Sequence, residues 1–369
     1  MHWAQAALLA TGSLYAAAVA WLLVGLRRRP RRCHRQLPPV SIIVPARNEA
    51  GTIQACVEAL RAQDYRGRLE IVVVDDRSTD TTAQRVRDHV AADNRVRLLH
   101  APDLPRFRCP KKSALAWGIE HSDGELILCT DADCRPPATW VRSMVEHFDL
   151  HVGLVAGHAR PDRGCRFRQW LLGLDNLAVG ALAAGSFGMR RPLSATGRNL
   201  AYRRRLYEEV GGFGAIGHLM GGDDVYFVRL VARLTAWTMV FNARQEAVVA
   251  CSAPPERWKD IVQQKLRHAG KAGHYGGGAL LLGAGIYLFH VVLAVSLVRL
   301  VQGGVDGITA GVWIAKMMLD GALTGSMAGM TQPGDRRLLL GLPVLELAYL
   351  PYTLLFTLIG RLGWYRWKT

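Results

Sequence analysis

The segment Leu126-Ile-Leu-Cys-Thr-Asp-Ala-Asp133 is an apolar run that ends in two carboxylates one residue apart. Residues i and i+2 of an extended chain point the same way. Asp131 and Asp133 are therefore expected to converge on one point where a buried strand ends. Two hard oxygen ligands aimed together suit a divalent cation that also holds phosphates. Taken alone, the motif reads more readily as a solvated turn, because Asp is common where strands end.

The surrounding chain favours the first reading. Val40–Pro45 is a short apolar strand, and Glu49–Gln63 has helical periodicity. Glu70–Val74 is a second, β-branched strand that runs into Asp75 and Asp76. Thr79–Val90 reads as a helix, Val96–Leu99 as a third strand, Lys112–His121 as a helix and Glu125–Cys129 as the fourth strand. Unbroken apolar strands separated by helices predict an α/β domain with a mainly parallel, Rossmann-like sheet covered on both faces. Ligands of such sheets bind at the carboxyl ends of the strands. Asp75, Asp76, Asp131 and Asp133 all fall at that edge, which turn chemistry explains poorly. No G-x-G-x-x-G follows the first strand and no P-loop sequence is present, so dinucleotide oxidoreductases and P-loop enzymes are disfavoured.

The chain has 369 residues, 50% hydrophobic and 21% charged, with 46 basic and 30 acidic residues giving a net charge of +16. Mean hydropathy is +0.09, high for so charged a chain, and implies apolar blocks attached to a polar domain. Seven cysteines show neither C-x-x-C spacing nor a disulfide framework, which fits a reducing compartment for the polar domain. His2–Leu26 lacks Asp, Glu, Lys and Arg and is long enough to cross a hydrocarbon core of ~30 Å. Arg27, Arg28, Arg29, Arg31, Arg32 and Arg35 follow it. A cleaved signal peptide carries its basic residues before the apolar core. The segment 1–26 is thus read as a retained anchor, 27–39 as a basic linker, and the next domain as cytoplasmic by the positive-inside rule. The basic run suits contact with anionic headgroups equally well.

After the fourth strand the alternation loosens. Trp170–Phe187 is apolar but contains Asp175 and Asn176, which favours a buried or interfacial helix over a span. Gly-rich corners at Gly211-Gly212 and Gly221-Gly222 suggest loops that approach a ligand closely. Arg257–Lys271 reads as a basic amphipathic helix within an interfacial segment, 255–276. Three apolar spans close the chain, about Leu280–Val301, Ile308–Met330 and Leu338–Ile359, in a membrane region 277–369. Lys316 and Asp320 lie four apart in the middle span and are expected to pair, and Glu346 lies in the last. Arg336 and Arg337 suit a cytoplasmic loop. Arg361, Arg366 and Lys368 then run against the positive-inside rule.

From Val40 to Leu266 these motifs resemble, in order, the inverting family 2 glycosyltransferases with the GT-A fold. Ser41-Ile-Ile-Val-Pro-Ala-Arg-Asn-Glu49 resembles the family's first strand and nucleotide-binding turn, and Ile71-Val-Val-Val-Asp-Asp-Arg-Ser-Thr-Asp80 its base- and ribose-holding element, with Arg77 where Gly is usual. Lys111, Ala114, Leu115 and Gly118 look like its G-K-x-x-A-L-x-x-G helix, with Pro110 for the leading Gly. Asp131-Ala-Asp133 matches its metal-binding D-x-D. Gly197-Arg-Asn-Leu-Ala-Tyr-Arg with Gly211-Gly-Phe213 resembles its acceptor-side segment, and Asp223-Asp224 its acidic pair with the catalytic base second. Gln264-Lys-Leu-Arg-His268 is similar to the Q-x-x-R-W motif of membrane synthases, with His268 for Trp.

The resemblance implies a glycosyltransferase domain over 40–254. Mn²⁺ or Mg²⁺ would sit on Asp131 and Asp133. Pro45, Arg47, Glu49, Asp75, Asp76, Lys111, Asp131, Asn199, Gln264, Arg267 and His268 would contact the nucleotide-sugar donor. Asp224, with Asp223 beside it, would serve as general base. The implied acceptor is a membrane lipid or lipid-linked group, reached from the cytoplasmic face of the cell (inner) membrane. Two alternatives stand beside it: a processive polysaccharide synthase, and a non-enzymatic basic scaffold in the lipid bilayer. Nucleic-acid binding is not expected, because it explains the charge but not the apolar spans.

Overall fold

Val40–Ala46 (β1) and Leu69–Asp75 (β2) are apolar on both faces, so neither side of the sheet they form can be left to water. They pair in parallel, with Asp75 beside Ala46. The computed structural model describes residues 2–33, 37–164, 166–270, 277–302, 307–334 and 336–362. Arg35, Lys271, Arg366 and Lys368 of the sequence reading lie outside them.

The described residues fall into two compact units, one drawn from 25–162 and 182–252, the other from 1–24, 163–181 and 253–369. The first is the α/β unit. Helix α1 (His2–Arg27) contributes only its last residues. Helices α2 (Ile53–Arg61) and α3 (Thr82–Ala92) alternate with β1, β2 and β3 (Val96–His100). Helix α4 (Pro110–Glu120) leads into β4 (Leu126–Cys129), then come β5 (Cys134–Arg135), α5 (Trp140–Val145), β6 (Val152–Gly157) and β7 (Ala159–Pro161). Helix α6 (Phe167–Gly188) precedes β8 (Leu200–Arg203), α7 (Arg204–Glu209), α8 (Val225–Leu234), β9 (Thr238–Asn242) and β10 (Val249–Cys251).

The main sheet has seven strands in the order β3-β2-β1-β4-β8-β6-β9, and only β8 runs antiparallel to its neighbours. A small sheet, β5-β10-β7, places the strand that follows D-x-D beside two later strands. The core runs from Val40, Ile42 and Val44 through Ile71, Val73, Leu126 and Leu128 to Trp140 and Val155.

The expected unbroken domain 40–254 is interrupted, because residues 163–181 group with the other unit. Asp175 pairs there with Lys265 and accepts a hydrogen bond of 3.0 Å from Tyr349. That unit contains α9 (Trp258–Gly270), α10 (Gly277–Val301), α11 (Gly307–Thr331), α12 (Leu342–Pro351) and α13 (Thr357–Arg361). Leu8, Phe289 and Leu293 form its buried apolar centre, with Tyr15, Val312 and Trp313 around them.

Among the described residues four helical segments are long and apolar enough to cross a membrane: Trp3–Arg27, Phe167–Gly188, Leu280–Arg299 and Arg337–Gly360. Two differ from the sequence reading. Phe167–Gly188 reaches spanning length despite Asp175, whereas α11 falls outside the group because Lys316 and Asp320 interrupt it. Those charges are paired, Lys316 with Asp320 at 2.8 Å and with Glu346. The final segment is not one regular helix. Pro351 ends α12, and a five-residue π-turn, Tyr352–Phe356, bridges to α13. Proline has no N–H for the ladder, which favours such a widened turn.

Candidate active site

The D-x-D carboxylates do not extend β4. That strand stops at Cys129, and Cys134 N donates to Asp131 O at 3.0 Å, closing a turn. The alternation survives the turn. Ala132 is buried in the core, while Asp131 and Asp133 stay partly open on the other side.

A row of alternating charges is built on this turn. Lys111, in the first turn of α4, reaches Asp131 at 2.7 Å and Asp223 at 3.0 Å. Arg198, just before β8, lies 3.6 Å from Asp131 and 4.0 Å from Asp133. Burial opposes the Lys111 charge, yet Asp131 and Asp223 overcome it and hold its pKa well above the ordinary lysine value. Burial likewise works against the Asp131 charge, and Lys111 and Arg198 outweigh it, keeping the carboxyl below its usual range. The row thus runs Asp133, Arg198, Asp131, Lys111, Asp223, and Asp224 follows in sequence.

Asp224 is the N-cap of α8, its side chain accepting from Val225 N at 2.6 Å. The glycines before it explain how the chain reaches that cap. Gly221 and Gly222 have φ of 70° and 75°, a region open to glycine at little cost. The loop before them is tied down by Lys112, fully buried, whose ammonium donates to Ile216 O at 2.5 Å and Leu219 O at 2.8 Å. A buried lysine needs such partners.

Gly197 fits against the charge row. A Cβ there would lie 2.6 Å from Asp223 Oδ2 and 3.3 Å from Lys111 Nζ. Gly197→Ala is expected to push that pair aside and lower turnover about 10- to 100-fold, as ångström-scale misplacement does. Steady-state kinetics on a suitable donor, with a circular-dichroism melt as the fold control, checks this.

The second acidic pair closes the neighbouring wall. Asp75 Oδ1 accepts from Ser78 N at 3.2 Å and Oδ2 lies 3.2 Å from His100 Nδ1. Asp76 pairs with Arg77. Arg77 takes φ 59°, the conformation natural to the usual glycine, and its Nη1 donates to Asp103 O at 2.8 Å. Asn48 laces the loops after β1 and β2 together by accepting from Thr79 N at 2.8 Å. Pro45, one residue before the end of β1, is part-buried, Arg47 is exposed beyond it, and Glu49 accepts from Thr52 Oγ1 at 2.8 Å. A small cavity beside this wall is lined by Asp76, Arg77, Pro102, Arg106, Trp117 and Glu120.

Asn199 is placed differently from the expected donor contact. It is fully buried, its Nδ2 donates to His158 O at 2.9 Å and Ala247 O at 2.7 Å, and its Oδ1 accepts from Trp140 Nε1 at 2.9 Å. Its amide is spent inside the fold, where it fixes the segment that carries Arg198. Asn199→Ala should cost about 2–3 kcal/mol by stranding those partners, readable by urea titration. Gln264, Arg267 and His268 lie within one turn on α9, in the other unit. Burial lowers the Arg267 pKa, with Asp260 opposing. Asp223, read as a neighbour of the base, is buried and is Lys111's second partner.

Sequence reasoning gave no role to Arg198, although it sits inside the quoted Gly197–Arg203 motif. It also passed over Cys134 and Cys251, free thiols that face each other in the β5–β10 register. Cys134 lies 3.4 Å from Asp133, and Arg198 donates to Cys251 Sγ at 3.4 Å.

Among the described residues no three His, Cys, Asp or Glu side chains group to hold a metal ion. Two carboxylates alone suit a hard ion whose remaining ligands are phosphate oxygens and water, the usual arrangement for Mg²⁺.

Residues 41–211 match the sequence profile of Glycosyl transferase family 2. The chain is 29% identical over 202 residues to Glycosyltransferase AglE of Haloferax volcanii, covering 52% of this chain and 61% of that protein. It is 42% identical over 98 residues to an N-acetylglucosaminyltransferase of Azorhizobium caulinodans, covering 26% of this chain and 24% of that one. It thus spans less than two thirds of the length of these curated relatives. In fold it is similar to the mannosyltransferase PcManGT of Pyrobaculum calidifontis, solved with GDP-Man and Mn²⁺. The TM-score is 0.60 at 22% identity, over 96% of this chain and 99% of that one.

Proposed function

We propose, from the match of residues 41–211 to Glycosyl transferase family 2, that the chain transfers a sugar from a UDP- or GDP-sugar to a lipid or lipid-linked hydroxyl at the cytoplasmic face of a membrane. The observation that carries this reading is the charge row Asp133, Arg198, Asp131, Lys111 and Asp223, which ends beside Asp224.

Bound to Asp131 and Asp133, Mn²⁺ or Mg²⁺ would supply Lewis acidity to the leaving diphosphate. Lys111 adds a cation to the same place, where burial strengthens its field. Asp75, Asp76 and the backbone around Pro45 fix the base and ribose. The acceptor hydroxyl attacks the anomeric carbon from the face opposite the diphosphate. A new C–O bond forms, the bond to the β-phosphate oxygen breaks, and its electron pair leaves with the diphosphate. Asp224 takes the hydroxyl proton as general base, and the anomeric configuration inverts. Four helical segments of spanning length support an acceptor delivered by the membrane.

The test is transfer by the full chain in detergent. A panel of UDP-, GDP- and dTDP-sugars is offered with Mn²⁺ or Mg²⁺ and a membrane lipid extract. Metal-dependent transfer from one donor into the lipid fraction, lost in Asp133→Asn, is expected. Absence of both transfer and donor hydrolysis across the panel would favour the scaffold reading instead.

A further inference from the structure

Arg198 occupies a position that the reaction as described above does not use. Its backbone is pinned beside D-x-D, because Thr130 Oγ1 donates to Arg198 O at 2.9 Å and β8 pairs directly with β4. Its side chain is about one-third exposed and reaches both D-x-D carboxylates. The contacts are loose. The distances of 3.6 Å and 4.0 Å exceed those of a charge-assisted hydrogen bond, which closes to about 2.7–2.9 Å. Lys111 holds Asp131 much more tightly, at 2.7 Å. Of the two cations on the D-x-D pair, Arg198 is thus the more easily displaced.

The charge count points the same way. Asp131, Asp133 and Asp223 set three negative charges against the two cations that contact them, Lys111 and Arg198, so a net negative charge remains in the row for an entering cation. When Asp131 and Asp133 turn their oxygens to that ion, the guanidinium loses its carboxylate partners and keeps only Cys251 Sγ, at 3.4 Å. A guanidinium fork fits two phosphate oxygens with parallel, coplanar N–H donors, a match that an ammonium lacks.

The geometry points to Arg198 as a donor-binding residue that holds the D-x-D carboxylates in the ligand-free site and exchanges them for the donor's diphosphate when the divalent ion enters. This inference rests on the glycosyl-transfer reading. It makes Arg198 a competitor of the metal and a partner of the diphosphate, opposite effects that a merely structural arginine would not produce.

Two binding measurements on the full chain in detergent test it. Mn²⁺ alone is titrated by electron paramagnetic resonance. UDP, GDP, UMP and GMP are titrated calorimetrically with Mn²⁺ present. Arg198→Ala is expected to bind Mn²⁺ alone several-fold more tightly than wild type. It should bind the diphosphate roughly tenfold or more weakly, the size of one charge-assisted hydrogen bond, while the monophosphate is little changed. Arg198→Lys should fall between, since it keeps the charge but loses the fork. Equal or weaker Mn²⁺ binding in Arg198→Ala, or unchanged diphosphate affinity, overturns the exchange. If the wild type binds none of the nucleotides, the parent reading fails and takes this one with it. If the wild type binds and Arg198→Ala matches it, only this one fails.

Discussion

Replacing Asp224 by Asn is expected to lower sugar transfer about 10²- to 10⁴-fold, the usual contribution of a positioned general base, while leaving the protein as stable as wild type. The split follows from the two roles of this side chain. As the N-cap of α8 it accepts from Val225 N, and Asn caps a helix about as well as Asp. As a base it must take a proton, which an amide cannot do. The charge row stays in place, because Lys111 pairs with Asp131 and Asp223 rather than depending on Asp224. Donor binding should therefore persist. A kcat loss with an unshifted melting temperature and unshifted donor affinity is the expected pattern. Loss of donor affinity along with kcat would assign Asp224 to the donor site instead. Unchanged turnover would remove it from the chemistry.

The largest effect on stability is expected at Lys316. It is 3% exposed and pairs with Asp320 and Glu346, while Tyr15 donates to Asp320 at 2.7 Å. This polar cluster ties α1, α11 and α12 to one another among largely apolar helices. Lys316→Met keeps the length of the side chain but strands the buried Glu346 carboxylate and leaves Asp320, part-buried, with Tyr15 in place of its ion pair. Breaking a buried pair from one side costs about 3–5 kcal/mol, enough to unfold a marginal protein. Removing all three charges together, as Lys316→Met with Asp320→Asn and Glu346→Gln, should recover much of the loss, because no charge is then left unpaired. Thermal unfolding in detergent measures both. A single Lys316→Met variant as stable as wild type would contradict the buried triad.

Much of this arrangement is written locally in the sequence. The β1, β2 and β4 strands are legible because burial on both faces demands unbroken apolar runs, and their carboxyl ends place Asp75, Asp76 and Asp131 at one edge. The Lys316–Asp320 pair is legible because four residues make one turn. Glu346 as its third member is not, since a contact across 30 residues leaves no periodic trace. β8 escaped for a related reason. Leu200–Arg203 is short, and its antiparallel pairing with β4 depends on chain reversals rather than on pattern. That pairing carries Arg198 to the D-x-D turn and buries Asn199 against Trp140. For Asn199 the resemblance of its segment to the family motif implies a donor contact. The structure places it at the head of a strand, where its amide serves backbone carbonyls. Arg77 shows the converse. The motif expects glycine, and the backbone keeps the glycine-like φ of 59° even with a side chain present.

The central claim, that the D-x-D carboxylates recruit a divalent ion to bind a nucleotide-sugar, is tested most directly by calorimetry. UDP- and GDP-sugars are titrated into the full chain with Mn²⁺ and with a chelator, for the wild type and for Asp133→Asn. Binding by the wild type that requires Mn²⁺ and is lost or sharply weakened in Asp133→Asn is the predicted result. Binding that is equal with chelator, or equal in Asp133→Asn, would contradict it.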